Sequence, residues 1–324
     1  MTLDLKDRKI LYELDKDARS SYSVIGKNVG LKKDVVAYRI NKLEEDGVIN
    51  NYYTVIDSYR LGYFLFRYYI NFQYITPAIK KEIIAYFTNY ENICTVGSIV
   101  GKYDLVVVVW VRNLNEFYQF WNTALNKFGD YFETRIFSVY IRGIGFPQTF
   151  LLPEKTKDQK KEISDRFGVG SYIEIDELDY RLLNELALNA RLSLVKLAQK
   201  LKTSSQTIKY RINKLEKNEI IQGYRVSINL DKIGFKRFKA DIYLKEHKQK
   251  DRLMNFVKQN LHVIYISTSV GLCDLEIEFI VESADDIVDI LEEINAQFPN
   301  VIRNYSFYGD ILVYKETFLP KLFD

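Results

Sequence analysis

The sequence predicts an α+β chain built as a tandem duplication, each copy a winged-type helix-turn-helix followed by a ferredoxin-like βαββαβ module. Three observations carry that prediction. Tyr38-Arg39-Ile40-Asn41-Lys42-Leu43-Glu44 recurs as Tyr210-Arg211-Ile212-Asn213-Lys214-Leu215-Glu216, and at the same offset Asp7 meets Asp179, Leu14 meets Leu186, Arg19 meets Arg191 and Gly62 meets Gly234. Each copy opens with three short amphipathic helical stretches. Behind them, strand-sized and helix-sized patterns follow in the order β-α-β-β-α-β. Further on, Gly101-Lys102-Tyr103-Asp104 answers Gly271-Leu272-Cys273-Asp274, and Thr149-Phe150 with Pro153 answers Thr317-Phe318 with Pro320. Two copies of a unit of about 150 residues are too few and too long for a solenoid.

In the first copy, Ile10, Leu11 and Leu14 share one face of a helix from about Lys6 to Asp15. Ser21 stands where an N-cap belongs, ahead of a short helix that turns Ile25 and Val29 inward, and Gly30 makes the turn. The third helix carries Val36, Ile40 and Leu43 and stops at Gly47. In the second copy Leu182, Leu183 and Leu186 build the first helix. Ser193 caps the second, which buries Leu197 and Leu201, and Ser204 caps the third, which buries Ile208, Ile212 and Leu215. The first module then reads as a strand Phe64 to Phe72, a helix Ala78 to Phe87, strands Ile93 to Val100 and Leu105 to Val111, a helix with Leu114, Phe117, Trp121, Leu125 and Phe128 on one face, and a strand over about Ile136 to Ile141. The second gives Phe238 to Leu244, Arg252 to Asn260, Val263 to Val270, Leu275 to Val281, Ile287 to Phe298 and Ile302 to Phe307. Helices on one face of such a sheet leave the other bare. Tyr68, Phe72, Tyr103, Trp110 and Tyr140 are expected there, covered by pairing of the two modules or of two chains. The predicted domains are helix-turn-helix 1–57, α/β module 58–152, linker 153–172, helix-turn-helix 173–231 and α/β module 232–324. The linker is charged and aperiodic, from Glu154 to Glu162 above all.

Composition narrows the function. The chain has 324 residues, 47% hydrophobic and 27% charged, with a net charge of +3, which permits nucleic-acid binding without demanding it. Cys94 and Cys273 cannot form a disulfide framework, and no Cys or His pair has metal-ligand spacing. His247 and His262 are the only histidines, so imidazole catalysis has little material. The longest apolar run, Leu105 to Val111, is strand-sized, and the N-terminus shows no secretory pattern. The expectation is a cytoplasmic protein without cofactor, metal or membrane partner, and not an enzyme.

The third helices are the candidate site. Outward in the first copy stand Lys33, Asp34, Ala37, Tyr38 and Asn41, with Arg39 and Lys42 flanking and Lys32 at the cap. Outward in the second stand Ser205, Gln206, Lys209, Tyr210 and Asn213, with Arg211 and Lys214 flanking and Ser204 at the cap. Asn and Gln match the edge of adenine, and Lys and Arg reach guanine or phosphate. A recognition helix brings its N-terminal residues closest to the bases, here Lys33, Asp34, Ser205 and Gln206. Neither helix-turn-helix is strongly basic overall, but its bases gather on the second and third helices and its acids on the first.

A helix-turn-helix ending in Arg-Ile-x-x-Leu-Glu, an extended link and an α/β module with Gly-x-x-Asp between its middle strands resembles the Lrp/AsnC (leucine-responsive, feast/famine) regulator family, twice over nearly the whole chain. The resemblance implies a transcription regulator on double-stranded DNA with two-fold-related recognition helices. It implies self-association through the α/β modules and a small-molecule effector of the amino-acid class near Gly101, Tyr103, Asp104, Gly271 and Asp274. Three features depart from the family: Lys32 replaces a capping residue, Val35 stands where the second copy has Thr207, and Glu219 stands where the first copy has Gly47. The first two leave open a form in which the first copy no longer reads DNA. Siroheme decarboxylases look like the same architecture and supply the enzyme alternative, for which only His262 lies near a corresponding strand.

Overall fold

The computed structural model describes residues 3–153, 164–168 and 170–322, so the run Glu154 to Glu162 lies outside the described residues. The first copy opens with α1 (Leu5–Lys16), α2 (Tyr22–Val29), α3 (Lys33–Glu45) and β1 (Ile49–Ile56). Its module contains β2 (Phe64–Phe72), α4 (Pro77–Asn89), β3 (Ile93–Val100), β4 (Leu105–Val111), α5 (Leu114–Phe128) and β5 (Phe132–Gly145). A short β6 (Asp165–Phe167) precedes the second copy, which opens with α6 (Glu177–Leu188), α7 (Leu194–Leu201), α8 (Ser205–Lys217) and β7 (Ile221–Ile228). It ends with β8 (Lys236–Leu244), α9 (Lys250–Val257), β9 (Val263–Val270), β10 (Leu275–Val281), α10 (Ala284–Gln297) and β11 (Ile302–Glu316).

The expected caps are present. Ser21 accepts from the Val24 amide and Ser193 from the Lys196 amide, while Ser204 accepts from the Thr207 amide at 3.0 Å. Lys32 offers α3 no side-chain cap. Gly30 ends α2 in the left-handed region at φ +69°, and the second copy asks the same conformation of Lys202, at φ +52°.

The two copies are interlocked. β1 and β7 form an antiparallel ribbon, Tyr53 opposite Arg225, and both helix-turn-helix cores merge around it into one apolar cluster containing Ile10, Ile40, Leu182 and Ile212. The Ala18 amide donates to the Tyr224 carbonyl at 2.8 Å, and the Ala190 amide to the Tyr52 carbonyl at 2.9 Å. Arg19 donates to the Ala190 and Leu192 carbonyls, and Arg191 to that of Ala18.

The modules share one sheet. Its order is β2-β4-β3-β11-β8-β10-β9-β5, and β5 returns to pair with β2, so eight strands close into a ring. The joints between copies are β3 with β11 and β5 with β9, which remove the open edges that two separate modules would present. These joints also explain why β11 and the C-terminal end of β5 run past the predicted strands: those residues pair across copies, while Phe132 to Arg135 pair with β2 of the same copy. Short β6, read as linker from sequence, pairs with Gly143, Ile144 and Gly145 of β5. α4 and α5 cover the outside of one half around Ile83, Phe87 and Phe120, and α9 and α10 the other around Leu253, Leu291 and Ile294.

The expected aromatic face is corrected in part. Tyr68 stacks on Trp121 at 3.8 Å under its own helix, Phe72 packs in the same outer core, and Trp110 joins the cluster at the ribbon. Tyr103 does lie inside the ring, stacked on Tyr69 at 4.5 Å, and Tyr140 lines the interior beneath Arg67. Among the described residues no helix is long and apolar enough to cross a membrane, and no three His, Cys, Asp or Glu side chains gather as metal ligands.

Candidate nucleic-acid interface

On α3, Val36, Ile40 and Leu43 are buried, and on α8 Ile208, Ile212 and Leu215 are, so the opposite faces look outward. Lys32, Lys33, Asp34, Tyr38, Asn41 and Lys42 are exposed, and Ala37 is half-buried. On α8 Ser204, Gln206, Lys209, Tyr210 and Asn213 are exposed, and Ser205 is half-buried. Tyr38 at 67% and Tyr210 at 69% are too exposed to be packing residues, so each helix presents an aromatic ring at the same place.

The flanking arginines have a different position from the one expected. Arg39 lies 2.7 Å from both Asp4 and Asp7, and Arg211 2.7 Å from both Asp176 and Asp179. Lys214 lies 3.1 Å from Asp179. These cations brace the recognition helix against the first helix. The Asp7 backbone amide and Arg39 hold the Asp4 carboxyl below its usual range. At Asp176 burial acts upward, but Arg211, the Asp179 amide and Lys214 together outweigh it and the carboxyl is lowered. The acids that read as segregated from the bases are therefore partly paired with them.

Sequence reading missed the residues that orient the helices. The Tyr52 hydroxyl donates to Glu44 of α3 at 2.6 Å, and the Tyr224 hydroxyl to Glu216 of α8 at 2.7 Å. Arg191 sits 5.2 Å over the Tyr52 ring, and Arg19 5.2 Å over that of Tyr224. The signal was available, because Tyr52 and Tyr224 recur at the same offset as Arg19 and Arg191. The ribbon thus fastens each recognition helix by its C-terminal turn, and the two copies do so alike.

The proposed effector residues fall on the two hairpins. Gly101 and Gly271 are exposed, at φ +120° and +108°. Tyr103 is 2% exposed, closed off by Tyr69 and Tyr308, so its side chain is withdrawn from any surface ligand. Asp104 accepts from the Phe72 amide at 2.8 Å, and Asp274 from the Leu244 amide at 2.7 Å. Both carboxylates tie the hairpin to the neighbouring strand, which is a structural task.

Comparison with known proteins gives the relationship. A winged helix-turn-helix DNA-binding family matches residues 3–50 and again 175–222. The HTH-type transcriptional regulator FL11 of Pyrococcus abyssi is 30% identical over 120 residues, 37% of this chain and 78% of that protein. A Pyrococcus horikoshii HTH-type transcriptional regulator, PH0140, is 29% identical over 118 residues, 36% of this chain and 73% of that protein. The crystal structure of the siroheme decarboxylase NirDL superposes with a TM-score of 0.64 and 13% identity, covering 96% of this chain and 92% of that one. At that identity the likeness is one of fold, and it extends over the tandem arrangement.

Proposed function

The chain belongs to the Lrp/AsnC family of helix-turn-helix transcription regulators, with two copies of the family unit in tandem, and we propose that a single chain presents two unlike recognition helices to duplex DNA as a fixed pair. The observation that carries this is the β1–β7 ribbon, which fastens α3 and α8 through Tyr52–Glu44 and Tyr224–Glu216. Ser205, Gln206 and Lys209 face the bases from α8, and Lys33, Asp34 and Ala37 from α3. Tyr38, Asn41, Tyr210 and Asn213 border the groove. Lys32, Lys42, Lys196 and Lys202 meet phosphate. Arg39, Arg211 and Lys214 act chiefly as braces. Such a regulator works in the compartment that holds the DNA, the cytoplasm.

Selection of binding sites from random duplex DNA by the purified chain tests the proposal. The expected motif is an imperfect palindrome with two different half-sites, bound more weakly as salt rises. No retardation of duplex DNA, or an affinity flat in salt, would overturn it.

An effector of the amino-acid class completes the reading, with contacts at the exposed turns around Gly101 and Gly271 and with Asp104 and Asp274 holding those turns. We read the chain as non-catalytic. The His262 ring nitrogen bonds to the Ile280 carbonyl at 2.8 Å, beside a pocket of about 240 Å3 that it shares with Phe256 and Asn260. The larger chamber inside the ring has no histidine in its lining. A tetrapyrrole absorption band that shifts on mixing with the protein would reverse this assignment.

A further inference from the structure

The ring encloses a chamber of about 380 Å3 beneath the ribbon, within the range of small-molecule sites. Tyr53 and Arg225 of the ribbon form part of its wall. In a ring of eight, β4 and β10 lie four strands apart and face each other across the interior. β4 contributes Val106 and Val108 to the inner face, and β10 contributes Glu276 and Glu278. These are matching positions of the two copies, aligned by Gly101-x-x-Asp104-Leu105 and Gly271-x-x-Asp274-Leu275. The first copy shows that the scaffold folds with valine at both places, so the two acids need another reason.

Glu276 has one: both its oxygens pair with Arg67, and Lys239 bridges it to Glu278. Glu278 has the longer arm of that bridge. Its ion pair is with Lys239 at 3.5 Å, and that same ammonium sits 2.7 Å from Glu276 and donates to the Tyr140 hydroxyl. Arg67 is spent on Glu276, and Arg225 on Asp15 and Asp165. Arg237 and Glu316 add one charge of each sign to the lining. The Glu278 side chain keeps 23% exposure although it points inward, because it faces the chamber. A carboxylate in such a place is stabilised by a cation. Tyr265 stands opposite Glu278 in the ladder, with Tyr140 also in the lining, and their ring faces favour the same charge.

We propose that this chamber binds a small organic cation, an ammonium group on a compact apolar body, with the ammonium against Glu278 and the body against Val106 and Val108. The ligand would touch the ribbon and the ring at once. This site is separate from the hairpins and independent of the DNA reading.

Calorimetric titration of the full chain with phenethylamine and, in parallel, with phenylacetate tests the proposal without DNA. The expected result is saturable binding of the amine and none of the acid. Glu278→Gln should weaken the amine about tenfold or more, as loss of a charged hydrogen-bond partner does. Val108→Phe keeps the carboxylate and fills the space, and should also abolish binding; it decides the matter if the glutamine variant does not fold. No saturable binding of the amine, preference for the acid, or an affinity unchanged by either folded variant would overturn the proposal.

Discussion

Arg39 and Arg211 occupy the same position in the two recognition helices, and their acid partners differ in burial. Asp179 is fully buried, whereas the Asp7 side chain is 18% exposed. Arg211→Ala leaves Asp179 with Lys214 alone and should cost about 1–2 kcal/mol. Arg39→Ala should cost about 1 kcal/mol or less, since its partners are better solvated. Denaturant melts of the two variants check the order. A second residue-scale effect is pH-dependent. Burial, reinforced by the neighbouring Glu276, pushes the Asp241 carboxyl up to about 6. Burial also raises that of Asp57 to about 6. Each has a folded pKa above its unfolded one, so the stability it contributes is complete below about pH 4 and lost as pH rises through 6. Asp241→Asn should flatten the stability profile between pH 4 and 7 and raise stability at neutral pH, measured by thermal melting across that range. Glu276 acts oppositely. Burial would raise its carboxyl, but Arg67 and Lys239 outweigh that and bring it to about 2, so its contribution disappears only in strong acid.

At the scale of the element, the two recognition helices begin differently. Ser204 caps α8 and Lys32 leaves α3 uncapped. Lys32→Ser should gain about 1 kcal/mol, and Ser204→Ala should lose a similar amount, seen as shifts in the melting midpoint. The specificity of α8 should follow Gln206. Gln206→Ala should relax discrimination at one base position by about 1–3 kcal/mol, while Lys196→Ala should weaken all sequences alike. Site selection with each variant separates the two effects. The elements were readable from sequence where their own residues decide them. The strands Ile93–Val100, Leu105–Val111, Val263–Val270 and Leu275–Val281 match their predicted limits because each is rich in β-branched and apolar residues and the turns Gly101 to Asp104 and Gly271 to Asp274 separate them. Where partners decide, reading stopped short. The tails of β5 and β11 are strands because the other copy pairs with them, and β6 because β5 does. The recognition faces were legible from helical spacing, whereas the pairing of Arg39 and Arg211 with α1 and α6 required the folded arrangement.

For the whole molecule, the duplication has produced divergence inside a preserved frame. Arg19 and Arg191, Tyr52 and Tyr224, and Glu44 and Glu216 keep matching roles. The outward N-terminal positions Lys33, Asp34 and Ala37 of α3 do not match Ser205, Gln206 and Lys209 of α8, and neither do the inner faces of β4 and β10. The ring also predicts that neither half is complete. Cutting the chain within residues 154–163 and producing both pieces together should yield a one-to-one complex, because the pairings β3–β11, β5–β9 and β5–β6 and the ribbon hold them. Each piece alone should be insoluble or self-associated through its exposed strand edges, measured by light scattering.

Carrying both strands of the ribbon on one chain has a consequence for occupancy. When two reading helices are brought together by assembly of separate polypeptides, dilution separates them, and occupancy of an operator rises with the square of concentration at the low end. Here the partner is always attached, so occupancy should rise linearly from the first molecules made. On the proposed reading, the response should begin at low expression, and co-expression of a related regulator should leave the selected motif unchanged.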